Sequence, residues 1–416
     1  MNKFMKGIDA FGRNIILVFL GTALVNVFNL LYQLLIAHCF MPEHFAAFNS
    51  LLAIYMLISM PLATFQTVIA KYVSGYNSQG QSLKIHFLLS LLLRKSILLA
   101  LLTFVLFYIA SPFLIVRLKI PSVSSGYILA ALLGFSWITP VYLGALQGLE
   151  LFKYLTSVSV ITGALKLLLA FIFIWLGFKI AGALAALLLS SVIGLIIPAF
   201  ILRNFLKVKE TEGIDLKEFF FYMFPVIGSS FFYMCLVNLD MVMVKYYFNP
   251  DEAGVYALAQ MVGKIFLFLP SAISLVMLPH TSGLNARNMD TTPALKRSLR
   301  YALILCLLAL LGYNIFPSFV LKLLTGKALI ESTILGRLFS ISMTFFTLLF
   351  ILITYFISIK DLRFIKYLFL FTVLQIIAIA LLHKTLIEVQ FIMCANSVML
   401  FFIHFALAFR RRYEKP

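Results

Sequence analysis

Charge is scarce in this chain and acid is scarcest. Only 12% of 416 residues are charged, with 15 Asp and Glu against 33 Lys and Arg. Water-soluble domains carry about 25% charged residues, so an ordinary soluble fold is excluded. Cys39, Cys235, Cys306 and Cys394 are the only cysteines and stand far apart without a C-x-x-C pair, which leaves no disulfide framework or thiolate metal site. His38, His44, His86, His280, His383 and His404 include no H-E-x-x-H and no second histidine at ligand spacing. A phosphate-binding G-x-x-x-x-G-K-[ST] loop is absent, since Gly326-Lys327 lacks both the upstream glycine and the following hydroxyl. The connections between apolar segments are short, about ten residues or fewer on one side, with no room there for the acid, base and phosphate-binding groups of an enzyme acting on sugars. Neither metal nor cofactor is expected, and the chain does not read as an enzyme.

What is abundant is apolar surface, 63% of residues with a mean hydropathy of +1.06. Runs of about 20 apolar residues, enough to cross some 30 Å of hydrocarbon, recur along the chain. They lie near 13–38, 46–70, 96–116, 125–148, 156–177, 180–202, 219–247, 254–279, 301–321, 334–358, 367–383 and 388–409. Strand-like alternation is missing, so helices must satisfy the backbone. The expectation is an all-α polytopic membrane protein of twelve transmembrane helices. Between the second and third spans, 80–95 reads as an amphipathic surface helix, with His86, Ser90 and Arg94 at four-residue spacing.

Basic residues set the orientation, because Lys and Arg are retained on the cytoplasmic side. With the N-terminus cytoplasmic, 23 of the 33 fall in inner segments, 7 at outer ends and 3 within spans. Both termini are therefore expected on the cytoplasmic side of the membrane. The net charge of +18 follows from this topology together with contact to anionic lipid headgroups, not from nucleic-acid binding.

The second half of the chain repeats the layout of the first at an offset of 208 residues. FMPEHFAAF at 40–48 lies over FNPDEAGVY at 248–256, and Ser74-Gly75 over Ser282-Gly283. Pro61 meets Pro270 with a slip of one, and Pro112 and Arg117 pair with Pro317 and Lys322 at 205. Two six-helix lobes, 1–208 and 209–416, are expected, with the binding site at the interface of the repeats as in secondary transporters. Proline within a span bends it, so Pro61 and Pro270 are candidate hinges for alternating access.

Polar groups in spans are costly unless they face a bundle interior or water. Thr22, Asn26, Asn29 and Gln33 recur at spacings of 4, 3 and 4, one face of the first helix. The second span offers Tyr55, Ser59 and Gln66. The seventh has Ser229, Tyr233 and Asp240, and the eighth has Tyr256, Gln260, Lys264, Ser271 and Ser274. Lys166 stands about 15 Å into the fifth span at 1.5 Å per residue, too deep for its head to reach water comfortably. Asp240 and Lys264 fall at depths only about 5 Å apart, which suits either a structural charge pair or a coupling role. Arg337, shallower in the tenth span, is a further basic candidate or an interfacial anchor. Three basic groups against one acid favour an anionic cargo such as a diphosphate, with lysine as a point-charge contact.

The stretch NLDMVMVKYYFNPDEAGVYALAQMVGKIFLFLP at 238–270 resembles the helix 7 to 8 hairpin of bacterial oligosaccharide flippases. These are the Wzx-like polysaccharide transporters of the MOP superfamily, which also holds MATE exporters and the lipid II flippase. Asp240 matches the family's buried acid, Asn249-Pro250 and Ala253-Gly254-Val255-Tyr256 its turn and helix start, and Gln260 with Lys264 its polar face. The first-lobe counterpart departs from the pattern, with His38 for the usual arginine and Ala46 for the glycine, so no substrate role is carried to His38. The resemblance implies a MATE-like pair of lobes that flips an undecaprenyl-diphosphate-linked oligosaccharide for cell-surface polysaccharide of the O-antigen or capsule type. Polymerase and assembly proteins would be its partners. A MATE-like cation-coupled drug exporter, which would be expected to carry carboxylates in its first helix, is the alternative. A lipid II flippase, which normally has two further spans, is the other.

Overall fold

The computed structural model describes residues 10–203, 205, 216–268, 271–287 and 289–410. Within them the chain is all helix. The order is α1 (Ala10–Cys39), α2 (Pro42–Ser78), α3 (Ser82–Arg117), α4 (Val123–Gly148), α5 (Phe152–Trp175), α6 (Lys179–Ile201) and α7 (Leu216–Tyr247). It continues with α8 (Pro250–Phe268), α9 (Ser271–Ala286), α10 (Thr292–Ile315), α11 (Pro317–Thr325), α12 (Ile330–Ser358), α13 (Ile365–Leu381) and α14 (Leu386–Arg410). Ten helices are long and apolar enough to cross a bilayer, and α13 is a shorter apolar helix. Length and hydropathy dictate this, since backbone N–H and C=O groups have no partner in lipid except along a helix.

Turns are tight and close on the last helical carbonyls. Gly80, Gly177 and Gly326 take positive φ of 67°, 86° and 72° where a left-handed residue ends a helix. Lys119, Glu150, Lys179 and Lys360 adopt the same region without being glycine, at a cost of about 1–2 kcal/mol each.

Three expected elements are redrawn. The 80–95 surface helix is the first part of α3, because Ile85, Leu88, Leu89 and Leu92 bury against Val73 of α2 and Val141, Ala145 and Leu146 of α4. The single span at 254–279 is two helices, α8 ending at Phe268 and α9 starting at Ser271; Pro270 lies outside the described residues. The span at 301–321 also divides. Phe316 leaves helical geometry at φ −124°, ψ 54° and Pro317 opens α11, as expected where proline crowds the residue before it.

The chain forms two compact units. One comprises Met1–Cys39 with Ile58–Ile227, the other Phe40–Leu57 with Gly228–Pro416. Both α2 and α7 are therefore shared out between them.

In the first unit α4 sits close against α2 through Gly144 and Gly148, one turn apart. A Cβ at Gly144 would come within 2.8 Å of the Gln66 carbonyl, and at Gly148 within 2.7 Å of the Ala70 carbonyl. Small residues at this spacing let helices approach where lipid gives no hydrophobic drive.

In the second unit α12 is the central helix, buried along most of its length and packed on α8, α9, α10, α11 and α14. Some of its hydroxyls turn back to their own helix, as Thr344 does to the Ser340 carbonyl at 2.7 Å, while Ser332 and Thr347 donate across to the Val255 and Phe266 carbonyls of α8 at 2.9 and 3.0 Å. The start of α2 belongs here too: a Cβ at Gly254 would lie 2.7 Å from Cβ of Pro42, so glycine admits the first turn of α2 against the first turn of α8.

Candidate functional site

In the first unit the polar stripe of α1 is graded. Thr22 and Asn26 are exposed, Asn29 and Gln33 half-buried, and the Gln33 Oε1 atom is buried without a hydrogen-bond partner. Lys166 Nζ, from α5, donates to Asn29 Oδ1. The same ammonium lies 4.9 Å from the centre of the Tyr32 ring. Tyr32 is itself fixed, its Oη donating to the Ala183 carbonyl of α6 at 2.9 Å. Among the described residues the cation of α5 thus meets two neutral groups of α1, one of them bonded in turn to α6. A lysine at the centre of a span costs about 2.5–3.5 kcal/mol, of which a cation–π contact offsets about 0.5–2 kcal/mol and the amide a comparable share.

The opposite side of the α1–α5 pair is a shallow apolar groove of about 720 Å³ lined by Phe28, Leu31, Leu35, Leu168 and Phe171, with His38 at its edge. Gln66 is apart from Lys166: its Nε2 donates to Gln147 Oε1 of α4 at 3.2 Å. Pro61 is buried within α2, and its carbonyl accepts from Thr64 Oγ1 at 2.5 Å.

In the second unit Asp240 is fully buried. Its Oδ2 accepts from Tyr256 Oη at 2.8 Å and from Gln260 Nε2 at 3.0 Å, both on α8. Tyr256 Oη also faces Gln390 Oε1 at 3.4 Å, and Gln390 Nε2 donates to Ser342 Oγ at 2.8 Å. Asp240 and Lys264, left in the sequence as either a charge pair or a coupling pair, make no direct contact among the described residues. No ion pair within 4.0 Å joins them, and Asp240 Oδ1 and Lys264 Nζ are both buried without a hydrogen-bond partner among the described residues. Arg337 is exposed on α12 with no described contact to this network.

Of the residues singled out in the sequence, the structure brings Asn29 to Lys166 and brings Tyr256 and Gln260 to Asp240, and it adds Tyr32, Gln390 and Ser342, which the sequence reading did not name. Gln390 carried a usable signal, a polar side chain in an apolar run. Among the described residues no three His, Cys, Asp or Glu side chains are placed to hold a metal.

Long apolar helices in both units define a polytopic membrane protein by class. The fold is that of the MOP superfamily. An inward-facing multidrug-resistance MATE family transporter of that superfamily superposes with a TM-score of 0.75 at 16% identity, over 91% of this chain and 93% of that one. The lipid II flippase MurJ, in an inward closed conformation, gives 0.74 at 14% identity over 95% and 87%. A MOP superfamily transporter from Pyrococcus furiosus, described as having a binding pocket of reverse polarity, gives 0.63 at 15% over 95% and 94%. No curated protein sequence matches the chain. The sequence pattern of the family described as polysaccharide biosynthesis protein matches residues 11–284, and the chain belongs to that family.

Proposed function

We propose that this protein flips an undecaprenyl-diphosphate-linked oligosaccharide across the bacterial inner membrane by alternating access, to supply cell-surface polysaccharide synthesis of the O-antigen or capsule type. In this reading twelve spans form the two lobes, both termini are cytoplasmic, Lys166 and Lys264 are anion contacts, and Pro61 and Pro270 are hinges. The observation that carries it is the setting of Lys166: an ammonium within a span whose described partners are an amide and a ring, with no carboxylate. A cation exporter of the MATE type needs carboxylates free to replace the hydration of its cargo, whereas Asp240 Oδ2 is held by Tyr256 and Gln260. Family membership supports the link to polysaccharide.

The test is Lys166→Gln and Lys264→Gln, singly and together, at matched expression in cells lacking the native gene. Loss of surface glycan with accumulation of the lipid-linked unit on the inner side is expected. Normal glycan display in the double variant would reject the reading.

A further inference from the structure

We infer that Asn29 and Tyr32 are positioning residues that make the Lys166 site selective for anions, because they seat the ammonium without neutralising it. The inference rests on the proposed anionic cargo. Asn29 faces Lys166 with its oxygen, the only orientation open to it, since the amide nitrogen and the ammonium are both donors. The ring of Tyr32 takes the cation on its face at 4.9 Å, while its Oη donates elsewhere, to the Ala183 carbonyl at 2.9 Å, so that the ring and not the hydroxyl meets the ammonium. Neither partner carries charge, so the full positive charge of Lys166 remains available to a ligand. Neither ion pair among the described residues, His44–Glu43 and Arg363–Asp361, involves it.

The amide adds a second property. When a phosphate oxygen approaches, rotation about the last side-chain torsion of Asn29 turns its NH2 toward the anion, so that the two residues donate to one ligand. An aspartate differs from Asn29 by one atom and reverses both effects. It bridges Lys166 directly, cancels the charge and repels phosphate. The identity of residue 29 as amide rather than acid is therefore specificity-determining.

The experiment uses the purified full-length protein in nanodiscs, with farnesyl diphosphate and farnesylamine as anionic and cationic probes in calorimetric titrations. Asn29→Asp should weaken farnesyl diphosphate binding at least tenfold without weakening farnesylamine, and Asn29→Gln should recover most of the loss. Tyr32→Phe should bind as the wild type does, and Tyr32→Leu at least fivefold more weakly. A second readout is independent of any cargo. With lysines reductively methylated by 13C-formaldehyde, which keeps their charge, the Lys166 methyl signal, assigned by its absence in Lys166→Gln, should sit upfield from the ring current of Tyr32. It should stay there in Tyr32→Phe and move to the ordinary position in Tyr32→Leu. Wild-type methyl signals with no upfield shift would overturn the seat. Farnesyl diphosphate binding by Asn29→Asp within twofold of wild type would overturn the selectivity. An intact upfield shift in a wild-type protein that binds no farnesyl diphosphate would overturn the anionic-cargo reading and the selectivity with it, leaving the seat standing.

Discussion

Lys166 and Lys264 occupy apolar spans of different units, and the two are kept from a carboxylate by opposite means. Around Lys166 the partners are an amide oxygen and an aromatic face, and no acid is in contact. Around Lys264 an acid is present, but two donors from α8 claim one of its oxygens, and the lysine head and the other oxygen stay buried and unbonded. A neutral seat stabilises a cation modestly and leaves its charge intact. A restrained carboxylate stabilises its lysine through space, and either charge alone becomes a liability. The first arrangement tolerates loss of its lysine; the second does not tolerate loss of its acid.

The largest effect that would break this comparison is expected at Asp240. Asp240→Asn leaves Lys264 as an uncompensated buried charge and should cost about 3–5 kcal/mol, read as a collapse of folded yield and thermal stability in detergent. Asp240→Asn with Lys264→Met should recover most of that loss. Additive losses in the cycle would show that the two groups act independently.

A much smaller effect is expected in the other unit. Lys166→Met removes a hydrogen bond to a charged group, worth about 1.5–3 kcal/mol, and at the same time removes a charge that costs about 2.5–3.5 kcal/mol in hydrocarbon. Stability should change by less than about 1 kcal/mol while glycan export is lost. A destabilisation as large as that of Asp240→Asn would erase the distinction between the two seats.

The same asymmetry extends to the helices. α3 runs unbroken through Pro112, and Gly126 of α4 packs beside it onto Ser111 and Ile115. Its repeat counterpart Pro317 begins a new helix after Phe316, and that short α11 rests instead on α8 and α12. The smallest effect predicted is accordingly local. Backbone amide exchange measured by mass spectrometry should be faster at 313–319 than at 108–114, with Pro317→Ala slowing the former and leaving thermal stability within about 1 kcal/mol. Equal exchange at the two sites would mean that the break at Phe316 has no dynamic consequence.

Much of this was legible in the sequence because the solvent is a bilayer. Twenty apolar residues in a row have few structural options in lipid, so most spans followed from hydropathy alone. A lysine deep in such a run announces itself by its cost, which is why Lys166 and Lys264 stood out and why the stripe through Asn29 did. The divided spans were not legible, since a proline pattern is the same whether the helix runs through it, as at Pro112, or breaks before it, as at Phe316.

The sequence by itself determined an all-helical membrane protein, membership of the polysaccharide biosynthesis protein family, and the few charged residues placed where hydrocarbon penalises them. Those are consequences of composition and periodicity, which act residue by residue along the chain. Only the tertiary structure decided which partners those charges meet. Tyr32 under Lys166, Ala183 behind Tyr32, and Gln390 beside Tyr256 are contacts between residues more than 130 positions apart. They depend on how helices pack, and packing in turn depends on small residues such as Gly144, Gly148 and Gly254, whose significance is the neighbouring backbone or side chain that only the fold brings near.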